Sequence, residues 1–98
     1  MITEHAILNV IPGQEEDFLS ALEQAKTFIA VSPGFRGLRV ERCLENPSTF
    51  LLLVEWESLE AHTQGFRGSD AYEEWRKLLH HFYEPFPVVD HFEPVATA

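Results

Sequence analysis

The run from Thr49 to Glu57 limits what this chain can fold into more than any other stretch, because it carries large apolar side chains on both parities. Phe50, Leu52, Val54 and Trp56 fall on one, Leu51 and Leu53 on the other. Successive strand residues face opposite ways, so both faces of this strand need cover and it belongs in the middle of a sheet. Residues 2–11 repeat the pattern, with Ala6, Leu8 and Val10 on one parity and Ile7 and Ile11 on the other. A third β-prone run, Phe35–Leu44, sets Leu38, Val40 and Leu44 against Arg39, Glu41 and Cys43, the alternation of a half-exposed strand.

Helical periodicity fills the gaps between these runs. Pro12-Gly13 stops the first strand, and Gln14 to Asp17 then put acids in a first helical turn, where they meet the positive end of the helix dipole. Phe18, Ala21, Leu22, Ala25, Phe28 and Ile29 follow as one apolar stripe, ended by Ser32-Pro33-Gly34. After a short helical turn and loop over 58–68, Asp70 is expected to cap a second helix, with Glu73 completing a capping-box-like pair. Tyr72, Trp75, Leu78, Leu79, Phe82 and Tyr83 form its stripe, Pro85 and Pro87 end it, and Val88 to Val95 reads as a closing strand.

The order is therefore βαββαβ, a ferredoxin-like α+β fold: a four-stranded antiparallel sheet with two helices on one face, expected to form one domain over 1–98. Two helices cover one face only. With Leu51, Leu53, Ile7 and Ile11 on the other, a second copy stacked sheet on sheet is expected, giving a homodimer.

Composition removes several functional classes. A net charge of −9, from 16 acids against 7 Lys and Arg, opposes nucleic acid, whose phosphates need a basic face. No stretch approaches the roughly 20 apolar residues that span a bilayer, and the first residues show no basic run leading into an apolar one, so no membrane partner is expected. Cys43 is the only cysteine, which rules out an internal disulfide; the expected location is cytoplasmic.

The element order, the strand ending Val54-Glu55-Trp56-Glu57-Ser58, the Ala61-His62 that follows, the Phe66–Tyr72 segment and the closing Val89–Val95 together resemble the antibiotic biosynthesis monooxygenase family, a branch of the dimeric α/β barrels. The likeness spans essentially the whole chain. It implies a homodimer with a ligand cavity between sheet and helices in each subunit, and oxidation of a small aromatic molecule of the anthrone, phenol or quinol kind by O2, with neither metal nor flavin and thus no cofactor. Polyketide-tailoring members use an asparagine and a tryptophan on the third strand, a tyrosine six residues on and an arginine on the last helix. By that likeness Trp56 matches the tryptophan, His62 stands at the tyrosine, Arg76 at the arginine, and Leu52 replaces the asparagine. Haem-degrading relatives carry a histidine ligand where this chain has Arg76, which disfavours haem.

The chemistry has its own requirements. Oxygenation without a cofactor needs an acidic substrate, a base for its proton and a dry aromatic cavity. His62 is the only imidazole of the loop after the third strand and suits the base near pH 7. Arg76 lies about 20° beyond Tyr83 on the helix. It either enters the cavity, where it would hold an enolate or phenolate, or faces solvent and pairs with Glu73 or Glu84. Trp56, Phe66, Tyr72 and Trp75 would supply planar walls, although strand and helix periodicity favours the two tryptophans as simple core residues. His91 either lines the pocket or bonds across the sheet, and Asn9 either offers its amide to the pocket or is a polar residue at the sheet edge. His80 and His81 diverge by about 100° on a helix and do not share an ion. Two other functions stay open: a non-catalytic, ligand-binding or stress-associated dimer using the same cavity, and haem degradation.

Overall fold

A computed structural model describes all 98 residues. Strand β1 (Ile2–Asn9) is followed by helix α1 (Glu15–Ile29), β2 (Phe35–Arg42), β3 (Thr49–Trp56), a six-residue π-helical segment (Ala61–Phe66), α2 (Asp70–Leu79), a 3₁₀ turn (His80–Phe82) and β4 (Val89–Phe92). The sheet order is β2-β3-β1-β4 with every neighbouring pair antiparallel, the ferredoxin-like arrangement. β3 is central, as its two apolar parities require.

Register decides which side chains look at the helices. Ala6 pairs with Leu52 and Glu4 with Val54, while on the other edge of β1 Ala6 pairs with Val89 and Glu4 with His91. Partners directly opposite share a face, so Glu4, Ala6, Leu8, Phe50, Leu52, Val54, Trp56, Val89 and His91 all lie on the helix side. Phe18, Leu22, Ala25 and Ile29 of α1 and Trp75 and Leu79 of α2 close over them and are buried. Phe18 meets the rings of Phe50 and Phe82 at 5.1 and 5.9 Å. Burying each such side chain contributes about 1.5–3 kcal/mol.

Several boundaries differ from expectation. Ser69, not Asp70, caps α2: its extended backbone lets the side-chain oxygen accept from the Tyr72 amide at 3.2 Å. Asp70 instead falls in the first turn, where its charge still suits the dipole. α2 stops at Leu79, and after the 3₁₀ turn Tyr83 is extended and bridges Val10, so the stripe of the second helix is completed by a change of backbone. β1 ends at Asn9, and Ile11 leaves the outer face because its amide turns to the Phe82 carbonyl. β2 ends at Arg42, leaving Leu44 90% exposed, and the closing strand is four residues long. No helix is long and apolar enough to cross a membrane.

Candidate functional site

A π-helix widens the backbone by one residue per turn, and here it brings both His62 and Phe66 inward. The segment lies close against the turn before β2: Gly34 has φ +86°, and a Cβ there would sit 2.7 Å from the Ala61 side chain. Held in this way, the His62 ring stacks on Trp56 with centroids 5.3 Å apart and planes 15° from parallel.

Both ring nitrogens of His62 are engaged. Nδ1 lies 2.8 Å from Nε2 of His91, and Nε2 lies 3.3 Å from Oε1 of Glu4. The same Glu4 oxygen accepts from the Trp56 indole N–H at 2.9 Å. A line of polar contacts thus runs from Trp56 through Glu4 and His62 to His91, hydrogen-bonded at its two ends and closed by the 3.3 Å Glu4–His62 approach between them, beginning in the core and ending at a half-exposed ring on β4. Burial raises the Glu4 carboxyl above its ordinary range, opposed by the Trp56 bond and the Arg67 charge. Burial, with Arg67 and His91 nearby, drives His62 down to about 3, so its imidazole is neutral at pH 7. His91 is lowered by the same burial and by Arg67, against a smaller pull from Asp90.

This line borders a cavity of about 420 Å³, within the range of small-ligand sites. Glu4, Ala6, Leu8, Leu52 and Val89 form its sheet wall. His62 and Phe66 come from the π-helical segment and Arg67 from its C-cap, and Tyr72, Trp75, His80 and Tyr83 from α2 and its extension. Arg67 and Phe86, the exposed members of the lining, mark its mouth. Burial pushes the Tyr83 phenol upward, with Glu4 contributing, and it pushes the His80 imidazole downward. Phe66 stands edge-on to Tyr72 at 5.4 Å and to Trp75 at 6.0 Å, so the far wall is a set of mutually perpendicular rings.

Of the residues singled out from the sequence, Leu52, His62, Phe66, Tyr72 and Trp75 meet around this cavity. Four others lie elsewhere. Trp56 is fully buried behind His62 and does not line the cavity; it touches the wall from behind, through its bond to Glu4 and its stacking on His62. Arg76 projects to solvent from α2, with two guanidinium bonds to Glu73 at 3.1 and 3.2 Å; the helix turn that carries Trp75 inward carries its neighbour out. Asn9 sits on the opposite face of the sheet and accepts from the Thr49 hydroxyl at 3.1 Å. His91 neither lines the cavity nor bonds across the sheet, but bonds to His62. Glu4, Arg67, His80 and Tyr83 were not among the sequence candidates. Glu4 had a usable signal, an acid on the parity of β1 otherwise held by Ala6 and Leu8.

Fold and cavity together define a small α+β protein that encloses an aromatic-lined chamber under a four-stranded sheet. The antibiotic biosynthesis monooxygenase family model matches residues 1–78, and the chain belongs to that family. It is 47% identical over 95 residues to the uncharacterized Bacillus subtilis protein YczJ, covering 97% of this chain and all of that one. It is 35% identical to a Bordetella bronchiseptica protein whose crystal structure bears the family's name, with a TM-score of 0.92 and 97% of each chain covered. A variant of SnoaB, a cofactor-independent oxygenase from Streptomyces nogalater, superposes with a TM-score of 0.82 over 98% of this chain and 94% of its own; at 17% identity that likeness is one of fold.

Proposed function

We propose that the protein is a cofactor-independent monooxygenase that oxidises a small, ionisable aromatic molecule of the anthrone, phenol or quinol kind with O2. The observation that carries this reading is the Glu4–His62–His91 line, its first two members buried, beside an aromatic chamber, because it supplies proton transfer next to planar apolar walls. In such a reaction the substrate loses a proton, the resulting anion passes an electron to O2, and the two radicals combine as a peroxide anion, which takes the proton back to become a hydroperoxide. Loss of water then leaves a carbonyl, so one oxygen atom enters the product and the other departs as water. Leu52, Phe66, Tyr72 and Trp75 bind the ring, and His62 takes part through its hydrogen bond to His91 and its contact with Glu4. Trp56 acts on Glu4 from behind, and Arg76 and Asn9 are left with no part in the site.

Family membership supports the reaction class, and the cavity's size supports a substrate of one to three fused rings. The outer face of the sheet supports a homodimer: Ile7 and Phe92 are 43% and 54% exposed there, beside Leu51 and Leu53. Oxygen uptake tests the reading. With anthrone or hydroquinone and a chelator present, consumption should saturate with substrate and scale with protein. No uptake above buffer, with those substrates binding unchanged, would favour the non-catalytic binder. A Soret shift on titrating haemin would favour the haem reading.

A further inference from the structure

Which group receives the substrate's proton is a separate question, and the geometry gives it an answer that depends on the proposed reaction only for its substrate class. His62 offers no free nitrogen to the cavity, since Nδ1 faces His91 and Nε2 faces Glu4. Glu4 does have a free acceptor. Its Oε1 accepts from Trp56 and lies 3.3 Å from His62 Nε2, while Oε2 has no partner within the chain, is not sealed from solvent, and belongs to a residue of the cavity wall. Arg67 is the only lysine or arginine in that wall, and no carboxylate of the chain pairs with it.

We propose that Glu4 is the proton acceptor of this cavity, that His62 and His91 are the line through which its carboxyl exchanges protons with solvent, and that Arg67 holds the oxyanion formed when an acidic phenol or enol gives up its proton. The bonds balance at each step. Starting from neutral Glu4, its Oε1–H passes to Nε2 of His62 as the His62 Nδ1–H passes to Nε2 of His91 and the His91 Nδ1–H leaves to water. Glu4 is then a carboxylate, and both imidazoles are again neutral, now as Nε2–H tautomers. No buried imidazolium forms, which suits a ring as desolvated as His62. The substrate O–H then breaks toward Oε2, its electron pair staying on the substrate oxygen beside Arg67. The groups that set this balance face Glu4 from every side: Trp56 of β3, His62 of the π-helical segment and Arg67 at its C-cap, His91 of β4, and Tyr83 and His80 across the cavity.

The probe is 4-nitrophenol, whose visible phenolate band reports its ionisation. One pH unit below its midpoint in buffer, it should bind the wild-type protein saturably and show the phenolate band in the bound state. Glu4→Gln should bind it without that band. Arg67→Gln should weaken binding about tenfold or more, the loss expected for one charge-assisted hydrogen bond. His91→Phe should leave the bound spectrum unchanged but slow its relaxation after a pH jump. In wild-type protein carrying ¹³C-labelled glutamate, the Glu4 carboxyl signal should move to its protonated position as the phenol binds, a check that needs no variant to fold. A phenolate band that survives Glu4→Gln, a Glu4 signal that does not move, or no saturable binding would each overturn the proposal. Absent oxygen uptake alongside an intact band would instead count against the monooxygenase reading alone.

Discussion

At the scale of single residues, Glu4 and His62 contribute to the chain's pH dependence with opposite signs, and His80 and His91, also lowered by burial, act in the same direction as His62. The folded pKa of His62, about 3, lies below its ordinary 6.5. As the pH falls through 6.5, the unfolded chain takes up a proton that the folded chain refuses, so stability falls between pH 6.5 and 3. The slope is at most about 1.4 kcal/mol per pH unit. Glu4 is raised above 4.5, so the folded chain keeps its proton longer and stability is lost as the pH rises from 4.5 through the folded value. Urea denaturation across this range should show that His62→Gln makes the acid-side decline shallower, and that Glu4→Gln flattens the curve above pH 4.5. Trp56→Phe deletes the indole N–H that pulls the Glu4 carboxyl down. Its titration midpoint, read by ¹³C NMR, should therefore move further up. If the reaction uses Glu4 as its base, Glu4→Gln should also lower the oxygen-consumption rate by about 10²-fold or more.

Secondary-structure elements hold this site in place through their ends more than their middles. Ser69 fixes where α2 starts and so where Tyr72 and Trp75 point. Ser69→Ala should cost about 1 kcal/mol in a urea titration, and Asp70→Ala less, because only the first removes a bond to an orphan amide. Gly34→Ala strains a positive φ and drives a methyl group into Ala61; it should cost about 1–3 kcal/mol and broaden the His62 ring signals in NMR as the π-helical segment shifts. The strands and α1 were legible in the sequence because period-2 and period-3.6 apolar patterns report burial directly, as with Phe50–Trp56 and Phe18–Ile29. The wide turn at Ala61–Phe66 was not, since one extra residue per turn depends on what the turn packs against and leaves no composition of its own. Arg76 shows the same limit. A residue at the edge of a helical stripe turns either way, and here its bond to Glu73 three residues back keeps it outside. His91 could not be assigned without knowing that β4 pairs with β1 in the register that puts it opposite Glu4.

Taken as a whole molecule, the sheet separates two surfaces with different tasks. The helix side keeps the cavity. The outer side leaves Ile7, Phe92 and the β3 leucines to be covered, and the homodimer proposed above supplies that cover. Leu53→Glu should leave a monomer by light scattering at micromolar concentration, where the wild type should show twice the chain mass; a wild-type mass of one chain would contradict it. The cavity carries the central claim, that an acidic aromatic molecule binds with its hydroxyl between Glu4 and Arg67. A crystal structure of the protein soaked with a phenol at neutral pH tests this most directly. The ring should lie among Phe66, Tyr72 and Trp75, with its oxygen within hydrogen-bond reach of Glu4 Oε2 and of the Arg67 guanidinium. A phenol bound only on the outer face of the sheet, or a chamber holding nothing but water at saturating phenol, would contradict it.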